Sequence, residues 1–319
     1  MSAPRDSQPL SSLGAEAQQN LLSVRDWIRF TATECERHKV AYGQGTDNAL
    51  DEARWLITAA LRLAPDTPDA LLSARLLPSE REMLWNLVCA RILEHQPTAY
   101  LVGEAWLCGY RFRADARALI PRSYLAEFLT GEGFPGMAPS DGPLRILELC
   151  TGSASLSILA AQAWPEARIV ATDLSPEALS LAAENLADYD LTNRVRLYQG
   201  DLFSALPGAL LQEQEEGPFD LILSNPPYVN QDSMDRLPAE FCHEPALALA
   251  GGNDGMNLVA RILHDYRQWL APEGLLVVEI GHEGPACQKL FDQNFPTLSP
   301  VWLDTAQTSQ RVFLLGAIP

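Results

Sequence analysis

The sequence predicts an α/β protein: a mostly parallel β-sheet with helices on both faces, ending in an antiparallel hairpin and preceded by a small helical domain. Three observations predict it. From Leu144 onward, short apolar runs alternate with segments of helical period, the pattern of parallel strands joined by helical crossovers. Between residues 20 and 95 the apolar spacing is helical throughout. The last two apolar runs, 299–304 and 311–315, lie close together with no helix-period segment between them, which reads as the hairpin.

The elements follow in order. Residues 1–20 are polar and are expected to be a mobile start. Helices are expected around 20–40, 48–63 and 80–95, the last carrying Met83, Leu84, Leu87, Val88 and Ile92 on one stripe, with Ser79 and Glu82 as a capping box and Pro78 stopping the chain before it. They form a helical domain over 21–97. Residues 98–120 lose the helical period and read as a hairpin leading to Pro121; a helix at 123–130 and a Gly/Pro-rich linker complete a segment 98–143. The main domain, 144–319, then contains strands at 145–149, 168–172, 194–198, 219–223 and 274–280 and helices at 154–163, 176–187 and 255–270. Ser175-Pro176 is an N-cap followed by proline at the first helical position. The Gln/Glu-rich stretch 208–218 is expected to be an exposed insertion.

Composition excludes several classes. With 41 Asp plus Glu against 23 Lys plus Arg, the net charge is −18, which disfavours nonspecific nucleic-acid binding and attracts a basic partner. The six cysteines are scattered without a C-x-x-C pair, so neither a disulfide framework nor a zinc site is expected, and no metal is assigned. No apolar run approaches the roughly 18 residues of a membrane span, and the start lacks the basic-then-apolar plan of a secretion signal. A cytoplasmic protein that neither binds DNA directly nor enters a membrane is expected.

The chemistry concentrates at strand ends. Asn225-Pro226-Pro227-Tyr228 directly follows the apolar run Phe219–Ser224, so it sits at the carboxyl end of a strand, where open α/β sheets place their ligands. Neither proline has an N–H to extend a sheet ladder, which leaves the Pro226 carbonyl and the Asn225 side-chain oxygen as fixed acceptors beside an aromatic ring. Two neutral acceptors suit a planar NH2 group whose lone pair is delocalised: gripping both N–H bonds raises electron density on nitrogen and sets its direction of attack. The first strand of the main domain ends Glu148-Leu149-Cys150-Thr151-Gly152-Ser153-Ala154, a tight turn of small residues, and Asp173 follows at the end of the next strand, where a carboxylate commonly accepts ribose hydroxyls. A nicotinamide nucleotide competes for such an arrangement, but its three-glycine pattern is missing, since Cys150 and Ser155 occupy the outer positions. A nucleoside without phosphates fits better; S-adenosylmethionine is one, with Asp201 placed to reach its adenine or ribose. His243 beside Glu244 reads either as an acid–base pair or as a loop-anchoring hydrogen-bonded pair. Cys150 has no His placed to activate it and is read as packing.

Together these residues resemble the class I methyltransferases, whose domain is Rossmann-like, and Asn-Pro-Pro-Tyr narrows the resemblance to enzymes that methylate exocyclic or amide NH2 groups. The strings Tyr42-Gly43-Gln44-Gly45-Thr46-Asp47-Asn48, Leu119-Ile120-Pro121-Arg122-Ser123, Glu148 to Ser153, and His243-Glu244-Pro245 with Gly252-Asn253-Asp254-Gly255 are similar to the PrmB branch of the HemK-type protein-glutamine methyltransferases. That resemblance implies methylation of a glutamine side-chain amide in the third protein of the large ribosomal subunit, a basic partner, with the helical domain cradling it. It further implies that Glu148, Cys150, Thr151, Gly152, Ser153, Ala154, Asp173 and Asp201 hold S-adenosylmethionine, that Leu202 borders the adenine, and that Asn225 touches both cofactor and glutamine. Pro226, Pro227 and Tyr228 would complete the substrate clamp.

The release-factor branch usually has Pro-Arg-Pro-Asp-Thr-Glu where this chain has Pro121 to Glu127, which favours the ribosomal substrate. The family normally has glycine at Ala154, whose methyl group is accommodated only if φ there is negative. A release-factor methyltransferase, a DNA amino-group methyltransferase and a ribosome-assembly binding protein with vestigial catalysis are the alternatives; the charge and the lack of a Lys/Arg cluster argue against the DNA reading.

Overall fold

The computed structural model describes residues 9–137, 142–206, 218–305 and 309–316. Their chain falls into two compact units, one within Met1–Glu104 with Pro238–His243, the other within Ala105–Leu237 and Glu244–Pro319.

The first unit is helical: α1 (Gly14–Asn20), α2 (Val24–Arg37), α3 (Ala49–Ala60), α4 (Pro78–Leu93) and α5 (Thr98–Val102). The first turn of α2 is closed by a capping box between Ser23 and Asp26, and Asn48 caps α3. Trp27, Phe30, Leu56, Leu84 and Val88 form the core. Two expectations need correction. Residues 10–20 are not a mobile start: Leu10, Leu13 and Ala17 are buried in this core, a periodicity too short to stand out beside the polar residues around it. The capping residues of α4 also lie earlier than Ser79 and Glu82; Pro78 is the first helical residue, and the Glu80 carboxylate accepts from the Leu77 N–H at 2.7 Å. The short segment 238–243 joins this unit through Glu240, whose carboxylate accepts from Ala41 N and meets His95 Nδ1, both at 3.1 Å.

The segment expected as one hairpin over 98–120 is in fact α5, closed by Gly103 in the left-handed conformation, then a hairpin of β1 (Glu104–Leu107) and β2 (Tyr110–Arg113). The second unit continues with α6 (Leu125–Thr130), β3 (Arg145–Leu149), α7 (Ser155–Ala163), β4 (Arg168–Asp173), α8 (Pro176–Asp188), β5 (Val195–Gln199), β6 (Phe219–Ser224), β7 (Val229–Asn230), α9 (Gln231–Met234), β8 (Ala250–Gly252), α10 (Asn257–Asp265), β9 (Leu270–Glu279), α11 (Gly284–Asn294), β10 (Val301–Leu303) and β11 (Val312–Gly316). Most of the Gln/Glu-rich stretch expected as an insertion lies outside the described residues.

Seven strands form one sheet in the order β10-β11-β9-β6-β3-β4-β5. β9, β6, β3, β4 and β5 run parallel, and β11 and β10 are antiparallel, as the alternation and the terminal pair of runs predict. Period-2 burial divides the core: Ile146, Ile169, Leu221 and Val277 face one helical layer, and Leu147, Val170, Ile222 and Leu276 face the other. The order in which the chain adds strands reverses between β3 and β6, so a crevice opens beyond their carboxyl ends.

Candidate functional site

A cavity of about 200 Å³ lies at that crevice, lined by residues from four consecutive strand ends: Cys150 and Gly152 after β3, Asp173 closing β4, Asp201 and Leu202 after β5, and Asn225 and Pro227 after β6. The acceptor loop and the turn read as nucleoside-binding therefore share one space.

The turn after β3 is built from left-handed backbone. Cys150 has φ +59°, Gly152 +56° and Ala154 +62°. Ala154 thus fails the condition under which its methyl group is free of strain: the left-handed angle that glycine suits is present here with an alanine, fully buried in the core. A Cβ placed on Gly152 would meet nothing within 4 Å, so this backbone is open to a ligand. Asp173 fastens the turn, since Oδ2 accepts from Gly152 N at 2.8 Å and Oδ1 from Ser175 N at 2.9 Å. Burial pushes its carboxyl upward against the pull of these N–H groups, and its remaining lone pairs suit the two hydroxyls of a ribose. Open backbone, a cavity-facing carboxylate and an apolar wall at Leu202 fit S-adenosylmethionine.

Not every expected residue reaches the cavity. Glu148 lies beneath the turn rather than in the cavity wall. Its Oε2 accepts from Thr151 Oγ1 at 2.7 Å, from Ser157 N at 2.9 Å and from the Ser157 hydroxyl, and burial pushes its carboxyl up to about 7. Thr151 and Ser153 are buried as well, and neither they nor Ala154 lines the cavity; these residues shape the turn. Asp201 lines the cavity with one oxygen held by Arg261 Nη2 at 2.8 Å. Burial raises the Cys150 thiol, which keeps it protonated and agrees with a packing role.

The acceptor loop is oriented by its neighbours. Asn225 Nδ2 donates to the Arg122 carbonyl at 3.3 Å, which points the amide's NH2 away and leaves Oδ1 as its acceptor side. Pro226 is buried and Pro227 half-buried. Tyr228 does not line the cavity; its hydroxyl donates to Glu279 Oε1 at 3.1 Å. β7 continues straight from the loop and pairs with β8, with Val229 N donating to Leu249 O at 2.8 Å.

His243 and Glu244 anchor loops, though not as a pair. His243 Nε2 meets the Glu94 carbonyl at 3.0 Å. Glu244, fully buried, accepts from Ile120 N at 3.1 Å and from both ends of the Arg122 guanidinium at 2.6 Å. Sequence reasoning missed this clamp, and it missed Glu279. The available signal for Glu279 was a lone acid inside the apolar run Leu275–Ile280. It also missed that 117–119 and Pro245, Leu247 and Ala248 wall the cavity, a long-range pairing with no local signature.

A family model described as "Methyltransferase domain" matches residues 146–243. The ribosomal protein uL3 glutamine methyltransferase of Bordetella pertussis is 49% identical over 302 residues, covering 93% of this chain and 96% of that protein. The protein of the same name from Burkholderia pseudomallei is 43% identical, covering 92% and 94%. Among solved structures, a methyltransferase from Pyrococcus furiosus aligns with a TM-score of 0.45 at 15% identity, covering 74% of this chain and 95% of that one. Among the described residues, no helix is long and apolar enough to cross a membrane.

Proposed function

We propose that this chain, which belongs to the family of ribosomal protein uL3 glutamine methyltransferases, methylates the side-chain amide nitrogen of a glutamine in that large-subunit ribosomal protein, using S-adenosylmethionine. The observation that carries the residue-level reading is the shared cavity: Asn225 and Pro227 line the same space as Cys150, Gly152 and Asp173.

S-adenosylmethionine, when bound, supplies a methyl carbon made electrophilic by its sulfonium. The chain's own residues do the rest. Asp173 and the 150–154 turn hold the nucleoside end, and Leu202 borders its base. Asn225 Oδ1 and the Pro226 carbonyl accept the two amide N–H bonds, which localises the nitrogen lone pair and aims it at the methyl carbon. Transfer of that methyl group would form the N–C bond at the expense of the donor's C–S bond, and the nitrogen proton made acidic by it would leave to water, so no side-chain base would be required. The ring of Tyr228 flanks the amide and favours the developing positive charge. The net charge of −18 suits a basic ribosomal protein met in the cytoplasm.

The test is mass spectrometry of the purified ribosomal protein incubated with enzyme and S-adenosylmethionine, reading a methyl-sized increment on one glutamine peptide. Asn225→Ala should keep the fold and cofactor binding and lose on the order of 2–4 kcal/mol of transition-state stabilisation, by analogy with a lost oxyanion donor. Near wild-type turnover in that variant would remove Asn225 from the role assigned.

A further inference from the structure

The acceptor loop is held from a direction the proposed reaction does not use. β9 ends on Glu279, only 2% exposed, inside a run otherwise made of aliphatic residues. Its carboxylate accepts three hydrogen bonds: Oε1 from Tyr228 Oη at 3.1 Å, and Oε2 from Ser123 Oγ at 2.5 Å and from Tyr124 N at 2.9 Å. A carboxyl buried at a strand end is costly, and an apolar side chain would fill that place at lower cost, so stability alone does not account for it. Burial also raises the Tyr228 phenol well above its ordinary range, so it remains a donor.

Tyr228 is constrained at two further points. Two residues beyond Glu279, Gly281 has φ +50°, and a Cβ there would overlap the Tyr228 ring. The Tyr228 carbonyl packs as closely on Gly255. Ring, hydroxyl and main chain are each fixed in the residue that follows the Asn225–Pro226 acceptors by two positions. We propose, resting on the reading of the site given above, that Glu279 is a positioning residue for methyl transfer: by accepting the Tyr228 hydroxyl it fixes the aromatic wall beside those acceptors. Glu279 touches neither substrate nor cofactor in this role. Ser123 and Tyr124 hold the carboxylate in turn.

The experiment is a double-mutant cycle with Glu279→Gln, Tyr228→Phe and the double variant in the full chain, read as kcat and KM for transfer to the ribosomal protein, as Kd for S-adenosylmethionine, and as stability in urea. A hydrogen bond to a charged group is worth roughly 10-fold or more. Each single variant is expected to lower kcat about 10-fold with the cofactor Kd unchanged within about twofold, and the double variant to be no worse than the poorer single. Tyr228→Phe keeps the ring and removes only the bond, so it stays informative if Glu279→Gln folds poorly. Wild-type kcat in Tyr228→Phe, or losses that multiply in the double variant, would overturn the proposal. So would a Glu279→Gln variant that unfolds earlier yet turns over normally, since that is the signature of a strand-end brace alone. Should the wild-type chain methylate no glutamine at all, the reading of the site fails instead; the urea cycle needs no substrate, and zero coupling there overturns the anchor independently.

Discussion

Removing the Arg122 guanidinium tests whether one buried ion pair ties the walls of the donor cavity together. Glu244 has no exposed side-chain surface and Arg122 only 27%, with two N–H···O contacts of 2.6 Å between them. Breaking a buried pair by deleting one partner costs roughly 3–5 kcal/mol, because the other charge is stranded. Arg122 is partly solvated and Ile120 N still donates to Glu244, so the low end applies, about 3 kcal/mol. For a unit of roughly 200 residues that corresponds to a fall in Tm of about 6–12 °C. Arg122→Ala should also weaken S-adenosylmethionine binding, because Glu244 joins the strand of chain after Leu119 to the one before Leu247, and both residues line the cavity. Calorimetry gives the melting temperature and isothermal titration the affinity. The cost lies in the stranded carboxylate, so Arg122→Met with Glu244→Leu should recover most of the lost stability. That assignment is refuted if that double variant melts as low as Arg122→Ala, or if Arg122→Ala melts within about 2 °C of wild type.

Asp173→Ala should chiefly weaken cofactor binding, since the carboxylate both fastens Gly152 and faces the cavity; unchanged affinity by titration calorimetry would remove it from the site. Ala154→Gly relieves a left-handed alanine worth roughly 1–2 kcal/mol, but adds about 0.4–1 kcal/mol of unfolded-state freedom and loses a buried methyl worth about 0.8 kcal/mol. Its stability should stay within about 1 kcal/mol of wild type, while Ala154→Val, β-branched at the same angle, unfolds much earlier in a thermal melt. Stability should also depend on pH through Glu148 and Glu279, whose folded carboxyls stand at about 7 against an ordinary 4.5. The folded state therefore binds these protons more tightly than the unfolded chain, so their contribution is full below about 4.5, declines through the window and is lost above about 7. At about 1.36 kcal/mol per unit, each is worth on the order of 3 kcal/mol. Glu148→Gln should flatten part of that decline in urea titrations from pH 4 to 8, and an unchanged slope would contradict the assignment.

What was legible in the sequence followed local periodicity and turn chemistry. β3 to β6 each end within a residue or two of the apolar runs that predict them, because buried parallel strands read as uninterrupted aliphatic segments. Asn225, Asp173 and Gly152 were legible for the same reason: a known strand end fixes where its next residues point. Residues 10–20 and 98–102 were misread because a two-turn helix offers too few apolar positions to establish a period. Glu148 was placed one layer too far out. A strand-end acid and a cavity acid look alike until Ser157, nine residues on, turns back to hydrogen-bond it. The Glu244 and Glu279 contacts span 122 and 156 residues to Arg122 and Ser123, a pairing that no local pattern encodes.

The backbone around the donor cavity explains why residues that never touch a ligand still belong to its site. Cys150, Ala154 and Leu202 are three of the non-glycine residues with positive φ, and all lie in the two turns that line or underlie the cavity. Such conformations cost roughly 1–3 kcal/mol each and persist only where the surroundings over-determine them. Here they are over-determined: Thr151 N donates to Thr172 O at 2.9 Å, Gly152 N to Asp173, and the Thr151 hydroxyl to Glu148. Glu148 also draws on Ser157 in the first turn of α7, so turn and helix move as one body. A glycine at 154 would remove one local penalty without loosening those bonds, whereas the loss of Glu148 would leave two strained residues, Cys150 and Ala154, with fewer restraints. Cofactor affinity should therefore fall more in Glu148→Ala, which lies outside the cavity, than in Ala154→Gly. The reverse order in titration calorimetry would show that the turn is shaped by its own sequence and not by the carboxylate beneath it.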